Sequence, residues 1–248
     1  MFEKKNVLGV GITDATKEEI LEFIIRGLEN QGEKYFIVTP NPEILVLADN
    51  DHEYRSILND AKIALADGMG VVLASRFLGR GLKGRVTGID LLESICQGVS
   101  EKPITVGFLG GGPKVAEMAA ECLEKKYPGL KVVFAAPELD KVSSKRLSES
   151  TFGIDMLFVA FGAPKQEIWM SKNLRNIPVR VAMGVGGAFD YISSKVGRAP
   201  VWIQKIGFEW LYRLMRQPWR IKRQLSLLRF IWLVLEEKLG KSRPFNYY

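Results

Sequence analysis

PITVGFLGGGPKVAEMAAECLEKKYPGL, residues 103–130, sets a strand and a helix in immediate succession. A continuous apolar strand runs into Gly110, Gly111 and Gly112, and Pro113 then opens a helix at its preferred first-turn position. Backbone amides at such a helix start make a ready anion site. The glycine spacing matches the dinucleotide fingerprint imperfectly, so the turn reads equally as a phosphate cradle or as a tight turn.

The same pattern recurs along the chain. AKIALADGMGVVLASRFLG (61–79) opens as a short buried strand, Ile63 to Ala66. Asp67 and Gly68 follow at the strand's carboxyl end. A helical pattern comes next, with Met69, Val72, Leu73, Phe77 and Leu78 as its apolar positions. In open α/β sheets ligands bind at the carboxyl ends of the strands, so Asp67 reads either as a general base or as a helix cap. KNVLGVGI (5–12) reads as a strand, and Thr16 with Glu19 forms a capping box opening a helix to about Asn30. KYFIVT (34–39) is a strand ending in TPNPE, which places Thr39 and Asn41 at a carboxyl end, as ligands or as turn and cap residues. IDMLFVAFGAPKQEIWM (154–170) repeats strand, glycine and helix, with Lys165, Gln166 and Glu167 in the helix's first turn. KVVFAA (131–136) is a strand with a helix expected around 143–150. VRVAMGVGGAFD (179–190) supplies another strand and a second glycine-rich end, with Asp190 beyond it. Strands alternating with helices predict an α/β fold: a Rossmann-like, mostly parallel sheet with helices on both faces.

Composition bounds the rest. The chain has 248 residues, 47% of them hydrophobic, enough for a real core. Cys96 and Cys122 match no metal spacing and, with no signal peptide at the start, read as reduced thiols of a cytoplasmic protein. The run LSLLRFIWLVL (225–235) is too short to span a bilayer and contains Arg229. Residues 195–248 hold 12 Lys+Arg and 3 Asp+Glu, a balance of +9, whereas residues 1–194 hold 23 and 25, a balance of −2. Four of the five tryptophans also lie in that last segment. The chain therefore divides into a body, 1–195, and a C-terminal basic, aromatic helical appendage, 196–248. Arg213, Arg216, Arg220 and Arg223 are spaced by three, four and three, which groups them on one face of a continuous helix, although Pro218 interrupts it. Cations among Trp and Leu suit an anionic membrane surface, or else a solvated basic face packed on the body. The glycine loop 79–85, with Arg80, Lys83 and Arg85, suits a phosphate or a solvated charged loop.

Taken together, TPNPE (39–43), ADG (66–68), RVTGID (85–90), GFLGGG (107–112), FGAPKQE (161–167), GVGGAFD (184–190) and EWLYRL…QPWR (209–220) resemble the WecG/TagA/CpsF glycosyltransferases, closest to the TagA-like members. The resemblance implies an inverting transfer of N-acetylmannosamine from UDP to undecaprenyl-diphosphate-linked N-acetylglucosamine in wall teichoic acid synthesis. It implies Asp67 as the base and Thr39 as its catalytic companion. Asn41, Arg85, Gln166, Gly110, Gly111, Gly186, Gly187 and Asp190 would bind substrate. Arg213, Arg216, Arg220 and Arg223 would meet the acceptor diphosphate and an anionic membrane surface. The implied place is peripheral, on the inner face of the cell membrane. No cofactor and no metal are expected. Asp49-Asn50-Asp51 has the D-x-D form, but it falls at a helix end, and His52, the only histidine, reads as a surface or capping residue. A homo-oligomeric state stays open. Another UDP-sugar donor for a surface glycan is the alternative within the family. A nicotinamide oxidoreductase and a nucleic-acid-binding protein are more distant ones.

Overall fold

A computed structural model describes residues 2–30, 32–138, 147, 153–193, 197, 199–200, 203, 209–216 and 221–240. Its centre is a six-stranded sheet built from β3 (Tyr35–Val38), β4 (Ile63–Ala64), β5 (Thr105–Gly110), β6 (Lys131–Ala136), β7 (Ile154–Ala160) and β8 (Val179–Gly184). The spatial order is β4-β3-β8-β7-β5-β6, and every pairing is parallel. A parallel sheet needs cover on both faces, and its strands carry near-continuous apolar runs for that reason. In β3 the side chains alternate: Phe36 and Val38 enter one apolar cluster, Ile37 the other.

Helices α1 (Lys17–Glu29), α5 (Gly88–Val99) and α6 (Val115–Lys126) cover one face. The short α8 (Ala188–Ile192) joins them there. The opposite face is covered by α2 (Pro42–Asn50), α3 (His52–Asp60), α4 (Met69–Phe77), α7 (Lys165–Asn173) and α10 (Ile221–Lys238). A further helix, α9 (Glu209–Arg216), precedes α10 in the chain. The capping box expected at Thr16 and Glu19 opens α1, and Thr87 caps α5 by accepting from the Asp90 backbone N–H. Helix α10 is docked on the body: Phe230, Leu233 and Val234 are buried, and Glu237 pairs with Arg80 and accepts from the Leu8 N–H at 3.0 Å.

Four sequence expectations need correction. Residues 5–12 form a hairpin rather than one strand: β1 (Lys4–Val7) pairs antiparallel with β2 (Val10–Thr13). Leu8 and Gly9 between them both have positive φ, 52° and 81°, the backbone that matches a two-residue hairpin to the strand twist. Strand β4 is only two residues long. Helix α6 starts at Val115, two residues past Pro113, because Gly110, Gly111, Gly112 and Lys114 all hold positive φ and the chain is still turning. In α4 the buried positions are Val71, Val72, Ala74 and Ser75, whereas Leu73 and Phe77 are 56% and 48% exposed. The helix expected around 143–150 lies, Leu147 apart, outside the described residues.

Gly110 closes β5 against β7. Its φ is +110°, and a Cβ there would stand 2.7 Å from both the carbonyl carbon and the oxygen of Ala160. The next residue, Gly111, donates its N–H to that same oxygen at 3.0 Å. Relief by backbone shift would part β5 from β7. Gly110→Ala is therefore expected to cost at least about 3 kcal/mol, from the strained φ and the clash together, read as a shift of the urea midpoint with unchanged m.

Candidate active site

Because the sheet is wholly parallel, all strand carboxyl ends lie on one edge, and the loops leaving them share that edge. Beyond β5 the chain moves outward to β6, while beyond β7 it returns inward to β8, so β5 and β7 flank a topological switch point. A cavity of about 1390 Å³ opens along this edge.

Thr39 leaves β3 and is 5% exposed; its hydroxyl donates to the Gly184 carbonyl at 3.1 Å, tying the ends of β3 and β8 together. Asn41 caps α2, its Oδ1 accepting from the Ile44 N–H at 3.0 Å. Asp67 follows β4. Its backbone N–H donates to the carbonyls of Pro40 and Leu65, both at 2.9 Å, which fixes where the carboxylate starts. The N-cap position of α4 belongs to Gly68, with no side-chain cap, so the chain does not use Asp67 there as the sequence alternative supposed. The Asp67 carboxylate is half-buried and faces the start of α5, 3.9 Å from where a Gly88 Cβ would stand.

Thr39, Asn41, Asp67, Arg85, Gln166, Gly111, Gly186, Gly187 and Asp190 all line the cavity. Gly110 does not: it packs on Ala160 and belongs to the sheet. Of the three cations in loop 79–85, Arg80 is spent on Glu237 and Lys83 on Glu19, and only Arg85 lines the cavity. Gln166 is 1% exposed, and its amide oxygen accepts from the N–H groups of Gly162 at 3.2 Å and Gly186 at 3.0 Å. So it braces the cavity floor as well as lining it. The side chains of Arg213, Arg216 and Arg223, and the whole of Arg220, lie outside the described residues.

Asp51 is the N-cap of α3, its Oδ1 accepting from the Tyr54 N–H at 2.9 Å, and Asp49 stands 3.9 Å from Arg229. Neither carboxylate lines the cavity. Among the described residues no group of three or more metal-ligating side chains comes together. His52 sits exposed at the start of α3.

Three features of the site were not singled out from sequence. Lys165, exposed at the start of α7, faces the cavity. Glu167 is fully buried behind Gln166, and burial pushes its carboxyl group up from the ordinary carboxylate range against the hydrogen bonds it accepts. Part of the lining is apolar: Leu73 and Phe77 of α4 together with Leu227, Phe230, Ile231 and Leu235 of α10. The C-terminal segment thus contributes a wall of the cavity. FGAPKQE contains Lys165 and Glu167, but nothing local in it sets either apart.

With this geometry in hand, comparison with known proteins gives a consistent picture. The model of the "Glycosyl transferase WecG/TagA/CpsF family" matches residues 5–244. The N-acetylglucosaminyldiphosphoundecaprenol N-acetyl-beta-D-mannosaminyltransferase of Bacillus spizizenii (strain ATCC 23059 / NRRL B-14472 / W23) is 34% identical over 218 residues, 87% of this chain and 84% of the relative. The protein of the same name from Bacillus subtilis (strain 168) is 32% identical over 209 residues, 83% and 81% of the two chains. That from Staphylococcus aureus (strain MRSA252) is 32% identical over 239 residues, 95% and 93%.

Proposed function

Since the chain belongs to the glycosyl transferase WecG/TagA/CpsF family, we propose that it transfers N-acetylmannosamine from UDP-N-acetylmannosamine to the N-acetylglucosamine of an undecaprenyl-diphosphate-linked acceptor. The observation that carries this reading is Asp67, a carboxylate delivered by backbone bonds to the polar floor of a cavity whose lining is partly apolar. Inversion at the sugar's anomeric carbon needs one base, positioned to take the proton of the attacking hydroxyl, and Asp67 supplies it. Thr39 holds the β3 and β8 ends in register beside that base. The departing UDP carries growing negative charge. Arg85, Lys165 and the uncapped amino end of α7 face the cavity where that charge would develop. The glycines at 111 and at 186–187 let a sugar or nucleotide come close to the backbone, and Asp190 and Asn41 line the same cavity.

A lipid-linked acceptor explains the apolar part of the lining. Helix α10 also turns Leu225, Leu228 and Trp232 outward, at 65%, 68% and 55% exposure. Apolar side chains beside a basic C-terminal segment favour a peripheral position on an anionic membrane. Among the described residues no helix is long and apolar enough to cross one.

Release of UDP from UDP-N-acetylmannosamine, with and without a lipid-diphosphate N-acetylglucosamine acceptor, tests the reading. Turnover is expected to need the acceptor and to persist in EDTA, because both D-x-D carboxylates are engaged away from the cavity. Loss of turnover in EDTA, restored by a divalent cation, would show that cations other than Arg85 and Lys165 neutralise the leaving group. Activity with a different UDP-sugar only would place the chain elsewhere in the same family.

A further inference from the structure

Behind the cavity floor lies a buried polar chain that joins three elements. Tyr54, on α3 and 1% exposed, donates its hydroxyl to Glu167 Oε2 at 3.1 Å. Gln166 donates from Nε2 to Glu167 Oε1 at 2.7 Å. Gln166 Oε1 in turn accepts from Gly162 N–H and Gly186 N–H, the turns that leave β7 and β8. Both glycines hold positive φ, 76° and 52°, and both line the cavity, whereas Glu167 does not.

A glutamine amide has nearly the same shape with its oxygen and nitrogen exchanged. The exchanged orientation would aim an NH2 group at two backbone N–H donors and collapse the bridge. Glu167 receives the Tyr54 hydroxyl on Oε2 and offers Oε1 to Gln166 as an acceptor, and an accepting oxygen there demands the NH2 end of its neighbour. Burial strengthens that demand, because an unpaired donor or acceptor there is costly. We propose that Glu167 is a positioning residue: it locks the Gln166 amide in the one orientation that ties the β7 and β8 turns together, and so sets the width of the cavity floor. That this floor receives the sugar nucleotide rests on the function proposed above; the lock itself does not.

The test compares Glu167→Met, which removes the acceptor at similar length, with Glu167→Gln, whose amide oxygen can still accept from Gln166 while the Tyr54 hydroxyl turns to accept. Backbone amide exchange at Gly162 and Gly186 and UDP affinity by calorimetry are read on the full chain, alongside donor KM and kcat. In Glu167→Met, exchange at both amides is expected to rise about tenfold or more, with UDP affinity and donor KM weakened about tenfold and kcat changed less. Glu167→Gln is expected to return all of these to within about threefold of wild type. Wild-type exchange at both turns in a folded Glu167→Met overturns the proposal. So does a Glu167→Gln as impaired as Glu167→Met, which would assign the effect to charge rather than to orientation.

Should Glu167→Met not fold, Gly184→Ala carries the test. Its Cβ would stand 2.9 Å from Gln166 Nε2, displacing the amide without touching the carboxylate, and unchanged exchange at the two turns would again overturn the lock. A wild-type protein that fails to bind UDP, with the exchange contrast intact, supports the lock and removes the sugar-nucleotide reading instead.

Discussion

Asp67→Asn lowers kcat for acceptor-dependent UDP release by about 10²–10⁴-fold, the usual span for losing a general base, while donor KM and thermal stability stay close to wild type. The reasoning is geometric. The position of residue 67 is set by its backbone N–H, which donates to the Pro40 and Leu65 carbonyls, and by the Val86 N–H, which donates to the Ala66 carbonyl. Asparagine keeps the shape and every one of those backbone bonds, while its amide can no longer take a proton from the acceptor hydroxyl. UDP affinity, measured separately by calorimetry, reports whether the floor is intact. A variant with wild-type kcat would move the base to another carboxylate lining the cavity, with Asp190 next in line. A variant with weakened UDP binding and unchanged kcat would make Asp67 a binding group.

The parts of this site that could be read from sequence are those encoded within a few residues. Strand-then-glycine-then-helix units announce themselves by period, and they placed Thr39, Asp67, Gln166 and Asp190 at strand ends before any pairing order was known. The parts that could not be read depend on distant partners. Leu73 and Phe77 look like core positions in a helical count, yet the surface they address is the cavity that α10 also lines, from some 150 residues further on. Leu8 gives no hairpin signal, since its positive φ is supported by Gly9, by Asn6 Oδ1 accepting from the Gly9 N–H, and by Glu237 at the far end of the chain. Glu167 reads as a solvated first-turn acid, a common helix feature; only Tyr54, more than 100 residues earlier, reveals it as buried. Gly110 reads as part of an anion-binding turn, but the close backbone of Ala160 makes it a sheet residue.

The second large effect concerns the C-terminal helix. Phe230→Ala is expected to lower the thermal midpoint by roughly 6–20 °C, from about 3–5 kcal/mol for emptying a buried phenylalanine site at about 2–4 °C per kcal/mol in a chain of this size. Phe230 is 3% exposed, lies in the same apolar cluster as Ile44 and Leu45 of α2, and brings its ring within 3.9 Å of the place a Gly70 Cβ would occupy at the start of α4. A Cβ at Gly70 would also press to 2.8 Å of Pro42, so the start of α4, and with it Asp67, is held between Pro42 and this ring. Loss of the ring therefore loosens both a core and the helix that follows the proposed base, and kcat is expected to fall along with stability. Trp232→Ala, at a position 55% exposed on the outer side of the same helix, serves as the contrast, with a stability change of no more than about 0.5 kcal/mol. A wild-type midpoint in Phe230→Ala would show that α10 adds nothing to the folded body. A lowered midpoint with unchanged kcat, measured well below it, would make the helix a brace and not a wall of the site. The combined loss would mean that the basic C-terminal segment and the body form one catalytic unit, with α10 building the apolar side of the cavity.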